Sequence, residues 1–169
     1  MAIFSEHPNQ VLGYNKGISI LAKKLVTPTY QIAEFSLFLA DDISKQAKND
    51  ELNERFELSS ILYQASEHIY SAAESLSVFK TGSKILTIEY NISLLAYNVG
   101  NLSYDALASF MHYTGKELSA QGELKLSLNN KSDLVEKFKT SSKEFHIAGQ
   151  LFQESWAKIC KSRTKIQTV

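Results

Sequence analysis

The stretch from Ile85 to Tyr113 is apolar on every side of a helical projection. Its only charged side chains are Glu89 and Asp105. A helix without a polar face is buried among other helices, so we expect this stretch to form the central helix of the protein. The asparagines and serines scattered through it argue against a membrane span, because burying polar groups in lipid is costly. One seam advances in steps of three and four residues, as a helix face does: Ile85, Ile88, Ile92, Leu95, Val99, Leu102, Ala106 and Phe110.

A second row of the stretch lies nearly opposite this seam, on a side where a surface helix would carry Lys and Glu. Its residues are spaced by seven: Tyr90, Tyr97, Tyr104 and Met111. Two interpretations compete. In the first, the rings are buried and each hydroxyl has a hydrogen-bond partner. In the second, the row is an exposed aromatic strip that binds a protein partner or a second copy of the chain.

The flanking sequence has the same helical periodicity. Thr27-Pro28 is a helix start signal, and Asn49-Asp50 can cap the next helix. Thr81-Gly82-Ser83 separates two helices that we expect to form an antiparallel hairpin. Leu124, Leu126 and Leu128 alternate over residues 121–130, as in an extended segment. Because one short strand would have no partner to pair with, we expect a loop lying on the bundle. Together the signals predict five helices, three long and two shorter, at about residues 10–25, 28–48, 49–79, 85–120 and 132–161.

Length and composition fit this interpretation. The chain has 169 residues, of which 44% are hydrophobic and 21% charged, as is typical of one globular domain. We therefore predict an all-α, single-domain helical bundle over residues 1–169, with a flexible arm at 1–9 and a short basic tail at 162–169. Lys plus Arg and Asp plus Glu number 18 each. No net field then attracts nucleic acid or an anionic membrane.

Few signs of chemistry are present. Cys160 is the only cysteine, which excludes an internal disulfide and fits a reducing compartment. The N-terminus carries no basic patch followed by an apolar run, so we expect a cytoplasmic protein. No histidine follows a Glu by three residues, as a di-iron bundle requires, and no nucleotide-binding loop or nucleophile elbow occurs. We expect no metal, no cofactor and no enzymatic activity.

Because the sequence shows no catalytic motif, the function is predicted from the surfaces that could bind a partner or a ligand. The first hypothesis is an interaction protein that acts through a helical surface, with the row of Tyr90, Tyr97, Tyr104 and Met111 as the surface and a homodimer as one outcome. The alternative is a binder of a small apolar ligand. Pockets combine apolar walls with a few polar groups, and the residues that suggest one here are Glu89, Asn91, Asn98, Tyr63 and Tyr70. A third hypothesis is an enzyme that uses Glu89 with a tyrosine as acid and base.

Overall fold

Four helices make up the part of the chain that the computed structural model describes, which is residues 29–76, 103–127 and 132–166. They are α1 (Thr29–Leu52), α2 (Phe56–Leu76), α3 (Tyr104–Ser127) and α4 (Ser132–Ile166), and no strand occurs in these ranges. The all-α prediction is confirmed. The predicted first helix and residues 85–102 of the predicted central helix lie outside the described residues, so the count of five helices and the central helix stay predictions.

The helices pack as two antiparallel pairs. α1 pairs with α2, α3 pairs with α4, and α4 also lies against α2. Because α2 and α3 are each antiparallel to α4, they run in the same direction. The hairpin predicted around Thr81-Gly82-Ser83 lies outside the described residues and stays a prediction. The contacts that fix the directions are Ser66 to Ala40, Glu57 to Lys158, Ser141 to Ala72, Tyr104 to Phe152 and Ser142 to Gly115.

The start of α3 differs from the prediction of one helix through residues 85–120. Ser103 is not helical and accepts a hydrogen bond on Oγ from the backbone N–H of Ala106, at 3.2 Å. This is an N-cap, so a new helix begins at Tyr104. At its other end α3 continues to Ser127, through residues predicted to be a loop. Leu124, the one of the alternating leucines whose side chain is described, is exposed.

The turn between α1 and α2 also corrects a prediction. Asp50 lies in the last turn of α1, buried and in contact with the Arg55 guanidinium at 2.6 Å, so it does not cap α2. The N–H of Arg55 bonds to the carbonyl of Asp50 at 2.9 Å, and that of Glu54 to Glu51 at 3.0 Å. These two bonds form a Schellman motif. Its left-handed position is occupied by Glu54, with φ 61°.

Replacing Glu54 by glycine should stabilise the protein. A residue with a Cβ is strained by about 1–2 kcal/mol in the left-handed region, and glycine is not. The greater freedom of glycine in the unfolded chain cancels about half of this gain. We expect Glu54→Gly to raise the free energy of unfolding by about 0.5–1 kcal/mol in urea denaturation. Glu54→Ala keeps the strain and should change little; an equal gain in both variants would refute this explanation.

The core lies where all four helices meet. The apolar residues of α2 recur in steps of three and four, which predicts one buried face, and its members are all buried: Leu58, Leu62, Ala65, Ile69, Ala72 and Leu76. The same spacing on α4 predicts a face that is buried from Phe138 to Phe152, while Trp156 and Ile159 pack against the core from its edge. At the centre Phe35 of α1 contacts Phe110 of α3, with ring centroids 5.3 Å apart and planes at 60°. These contacts hold α3 and α4 in the register on which the site below depends.

Candidate functional site

The described part of the tyrosine row is core. Tyr104 is 7% exposed and Met111 is 0% exposed. The Tyr104 ring stacks on Phe152, with centroids 5.9 Å apart, and its hydroxyl donates to Gln46 Oε1 at 3.1 Å. Tyr104 and Met111 therefore agree with the interpretation in which the row is buried, and they cannot form an exposed surface. Tyr90 and Tyr97, the rest of the predicted surface, lie outside the described residues.

The predicted ligand pocket is only partly described. Glu89, Asn91 and Asn98 lie outside the described residues. Tyr63 is half-buried with its hydroxyl 3.5 Å from a Glu51 carboxylate oxygen, and burial followed by this negative charge raises the pKa of Tyr63. Tyr70, two turns further along nearly the same face of α2, is 52% exposed. Neither tyrosine lines either of the two cavities described below.

The structure instead brings together a pair of histidines that the sequence reading passed over. α3 contains His112 and Gly115, and α4 contains His146 and Gly149, with the same spacing. The Nδ1 atoms of the two histidines are 3.0 Å apart. We call His112 and His146 the histidine pair.

Each ring of the histidine pair lies on the glycine of the opposite helix. A Cβ on Gly149 would be 2.8 Å from the His112 ring, and a Cβ on Gly115 would be 3.0 Å from the His146 ring. Antiparallel packing makes the two contacts reciprocal. A repeated His-x-x-Gly on two helices was therefore the signal in the sequence, and it is readable only once the helices are known to be neighbours.

The geometry of the histidine pair places a proton, and not a metal ion, between the rings. The ring centroids are 5.3 Å apart, which equals the Nδ1–Nδ1 distance of 3.0 Å plus one ring radius on each side. The two nitrogens thus lie on the line between the ring centres and face each other directly. A cation midway would be far closer to each nitrogen than the about 2.0–2.1 Å of a Zn–N bond. Among the described residues no group of three or more His, Cys, Asp or Glu could hold a metal either.

In the uncharged histidine pair, one Nδ1–H donates to the other Nδ1 across 3.0 Å. Burial, followed by the charge of His112, lowers the pKa of His146.

Acidification should therefore weaken the fold through His146. The unfolded chain keeps the ordinary pKa of 6.5, while the folded pKa is lower. Below pH 6.5 the unfolded state then binds more protons, so this contribution to stability is complete above pH 6.5 and is lost as pH falls through the folded pKa. We expect His146→Gln to lose less stability than the wild type when the pH falls from about 7.5 to about 5, a range that spans the ordinary pKa of histidine. Parallel losses in urea denaturation would contradict this.

An open groove of about 590 Å³ begins at the histidine pair and follows one face of α3. We call it the α3 groove. Ser109 and Glu123, at its two ends, are about 21 Å apart along the helix axis. Its lining residues are Ser109, His112, Tyr113, Lys116, Ser119, Ala120, Glu123 and His146.

A second surface lies at the opposite end of the bundle, where α1 turns into α2. Leu52 is 76% exposed and Phe56 is 63% exposed. We call these two residues the end patch. Phe56 borders a smaller cavity of about 370 Å³ that is also lined by Lys158 and Arg163 from the end of α4. Lys158 is paired with Glu57 at 2.9 Å, and this pairing lowers the pKa of the Glu57 carboxyl.

Comparisons with protein-family models, with curated proteins and with solved structures find no match to this chain. In the described ranges, no helix combines the length and the apolar character that a membrane crossing needs.

Proposed function

We propose that this protein is a non-enzymatic interaction protein that holds an extended segment of a partner protein in the α3 groove. The observation that carries the proposal is the length of the groove, which follows one face of α3 for about 21 Å. At about 3.3–3.4 Å per residue, about six residues of extended peptide would occupy its length.

The walls of the α3 groove combine apolar surface with the hydroxyl groups of Ser109, Tyr113 and Ser119. An extended peptide brings unpaired N–H and C=O groups that need such partners, and its side chains can contact the apolar surface.

Selection from a library of displayed, unconstrained peptides tests the proposal. The wild type should enrich peptides that share a short sequence pattern. Ala120→Trp blocks the groove near its Glu123 end with a large side chain and should abolish their binding. Ala157→Trp makes the same change at an exposed position of α4 outside the groove and should retain it.

Two results would contradict the proposal. One is the absence of any shared pattern among peptides that the wild type enriches. The other is undiminished binding of those peptides to Ala120→Trp.

Self-association is a second candidate function, favoured by the end patch. Two large apolar side chains close together at one turn are the kind of exposure that marks an interface, although a stable dimer needs a larger buried area than these two residues supply. Phe56→Glu should convert an associated form to the monomer in light scattering, while Leu124→Glu, another exposed apolar position, should not. An unchanged mass in wild type and Phe56→Glu would rule out this interface.

The predicted alternative, a small apolar ligand held by Glu89, Asn91 and Asn98, depends on residues outside the described ranges. Native mass spectrometry of protein purified from its source tests it directly. A co-purifying molecule of defined mass would support this alternative. The mass of the bare chain alone would count against it.

A further inference from the structure

The α3 groove carries two opposite charges on the same face of α3. Lys116 and Glu123 both line the groove, and both side chains are exposed. They are seven residues apart, which is two helical turns, so they project from nearly the same side of the helix at about 10 Å from each other along the axis. The described lining residues between them are the small Ser119 and Ala120.

Neither charge is neutralised within the described part of the fold. Lys116 and Glu123 form no ion pair with another described residue. The positions three and four residues away from either of them on α3 hold no residue of opposite charge, so the usual helical pair cannot form. Elsewhere such pairs do form, as between Lys45 and Asp41 at 2.5 Å. Lys116 and Glu123 are also too far apart to neutralise each other, since salt screens exposed charges over about 8–10 Å.

We infer that the α3 groove selects a partner segment with one acidic and one basic side chain, the acid beside Lys116 and the base beside Glu123. The inference rests on the proposed function, because it takes the occupant of the groove to be an extended peptide. Three residues of such a chain cover about 9–10 Å, at about 3.1 Å each in polyproline II and about 3.3–3.4 Å each in a strand. The acid and the base are therefore about three positions apart, and the flexible stems of Lys116 and Glu123 allow one position more or fewer.

Charge complementarity at these two points acts mainly on specificity. An exposed ion pair strengthens binding by only about 1.5- to 5-fold. A segment placed with its charges reversed, however, meets a like charge at both Lys116 and Glu123 and is repelled at both. The two pairs therefore fix the position and direction of the segment, while the hydroxyl groups and the apolar surface of the groove supply most of the affinity.

Selection from the displayed peptide library by charge-reversed variants tests the inference. The wild type should enrich peptides with an acidic and a basic residue about two to four positions apart. Lys116→Glu should replace the acidic position of this pattern by a basic one, and Glu123→Lys should replace the basic position by an acidic one. Both residues are exposed, so neither reversal disturbs the core. Lys161→Glu and Glu67→Lys reverse exposed charges outside the groove and should enrich the wild-type pattern.

The affinity of one peptide selected by the wild type, measured by fluorescence anisotropy, gives a second readout. Lys116→Gln should weaken its binding by about two- to fivefold, and Glu123→Gln by a similar factor. Replacing the acidic residue of the peptide by its amide should cost the same factor in the wild type. In Lys116→Gln the same replacement should cost nothing further, because the pair is already broken.

An enriched pattern without charged positions would overturn the inference, as would a pattern that is the same for wild type, Lys116→Glu and Glu123→Lys. If such a pattern is still lost in Ala120→Trp, the proposed function stands and only the charge pairing fails. The absence of any enriched pattern rejects the proposed function itself, and the inference with it.

Discussion

Phe110→Ala is expected to lower the free energy of unfolding by about 3–5 kcal/mol. The Phe110 side chain is completely buried and packs on Phe35 across the centre of the bundle, with ring centroids 5.3 Å apart. Truncation removes the buried area and the ring contact and leaves a cavity that α1 and α3 cannot close without shifting. The measurement is urea denaturation followed by circular dichroism.

Phe38→Ala is the matched control for Phe110→Ala. Phe38 is 45% exposed, so its truncation should cost less than about 1 kcal/mol. A loss of that size or smaller for Phe110→Ala would mean that α1 and α3 do not share a core. If Phe110→Ala is unfolded, Phe110→Leu keeps much of the volume and gives a measurable intermediate value.

The second large effect is at Gly149, where substitution by alanine should destabilise the wild type but stabilise a His112→Ala variant. In the wild type, Gly149→Ala sets a methyl group 2.8 Å from the His112 ring, and the ring must leave the histidine pair. Overpacking of this kind costs about 1–3 kcal/mol, more than the roughly 1 kcal/mol that alanine gains over glycine in a helix. In a His112→Ala background the obstacle is gone, so the same substitution should stabilise the protein by up to about 1 kcal/mol.

Gly115→Ala, tested with and without His146→Ala, is the control for this prediction. A methyl group there would meet the His146 ring and also the Ser142 carbonyl oxygen, each at 3.0 Å. His146→Ala removes only the first obstacle, so Gly115→Ala should be rescued in part and not fully. Gly149→Ala that destabilises equally with and without His112 would show that the glycine serves another purpose.

Helix type and faces could be predicted from the sequence because they depend on local periodicity. The buried face of α2 followed from its apolar spacing, and the start of α4 followed from Ser132-Asp133, which fits an N-cap. The helix ends that were predicted wrongly depend on the contacts of single side chains. Ser103 ends the predicted long helix by capping a new one, and Asp50 is held inside α1 by Arg55.

The histidine pair could not be predicted because it depends on which helices are neighbours. His112 and His146 are 34 residues apart and meet only when α3 and α4 are antiparallel in one register. In the sequence, each histidine looks like an ordinary polar residue of an amphipathic helix. Each glycine looks like a weak helix former, because the histidine ring that packs against it belongs to another helix. Spacing within a helix is visible in a sequence, and pairing between helices is not.

The order of helix packing has a consequence for how quickly different contacts form. The α1–α2 contact of Ser66 with Ala40 closes 26 residues, and the histidine pair closes 34. The contacts between α2 and α4 close 76 residues at His68–Glu144 and 101 at Glu57–Lys158. Since the entropy lost on closing a loop grows with its length, the two hairpins should assemble first and dock through α2 and α4 in the rate-limiting step. Substitutions at Ser141, whose bond to Ala72 forms only in or after that step, should then slow refolding less, and accelerate unfolding more, than substitutions within either hairpin.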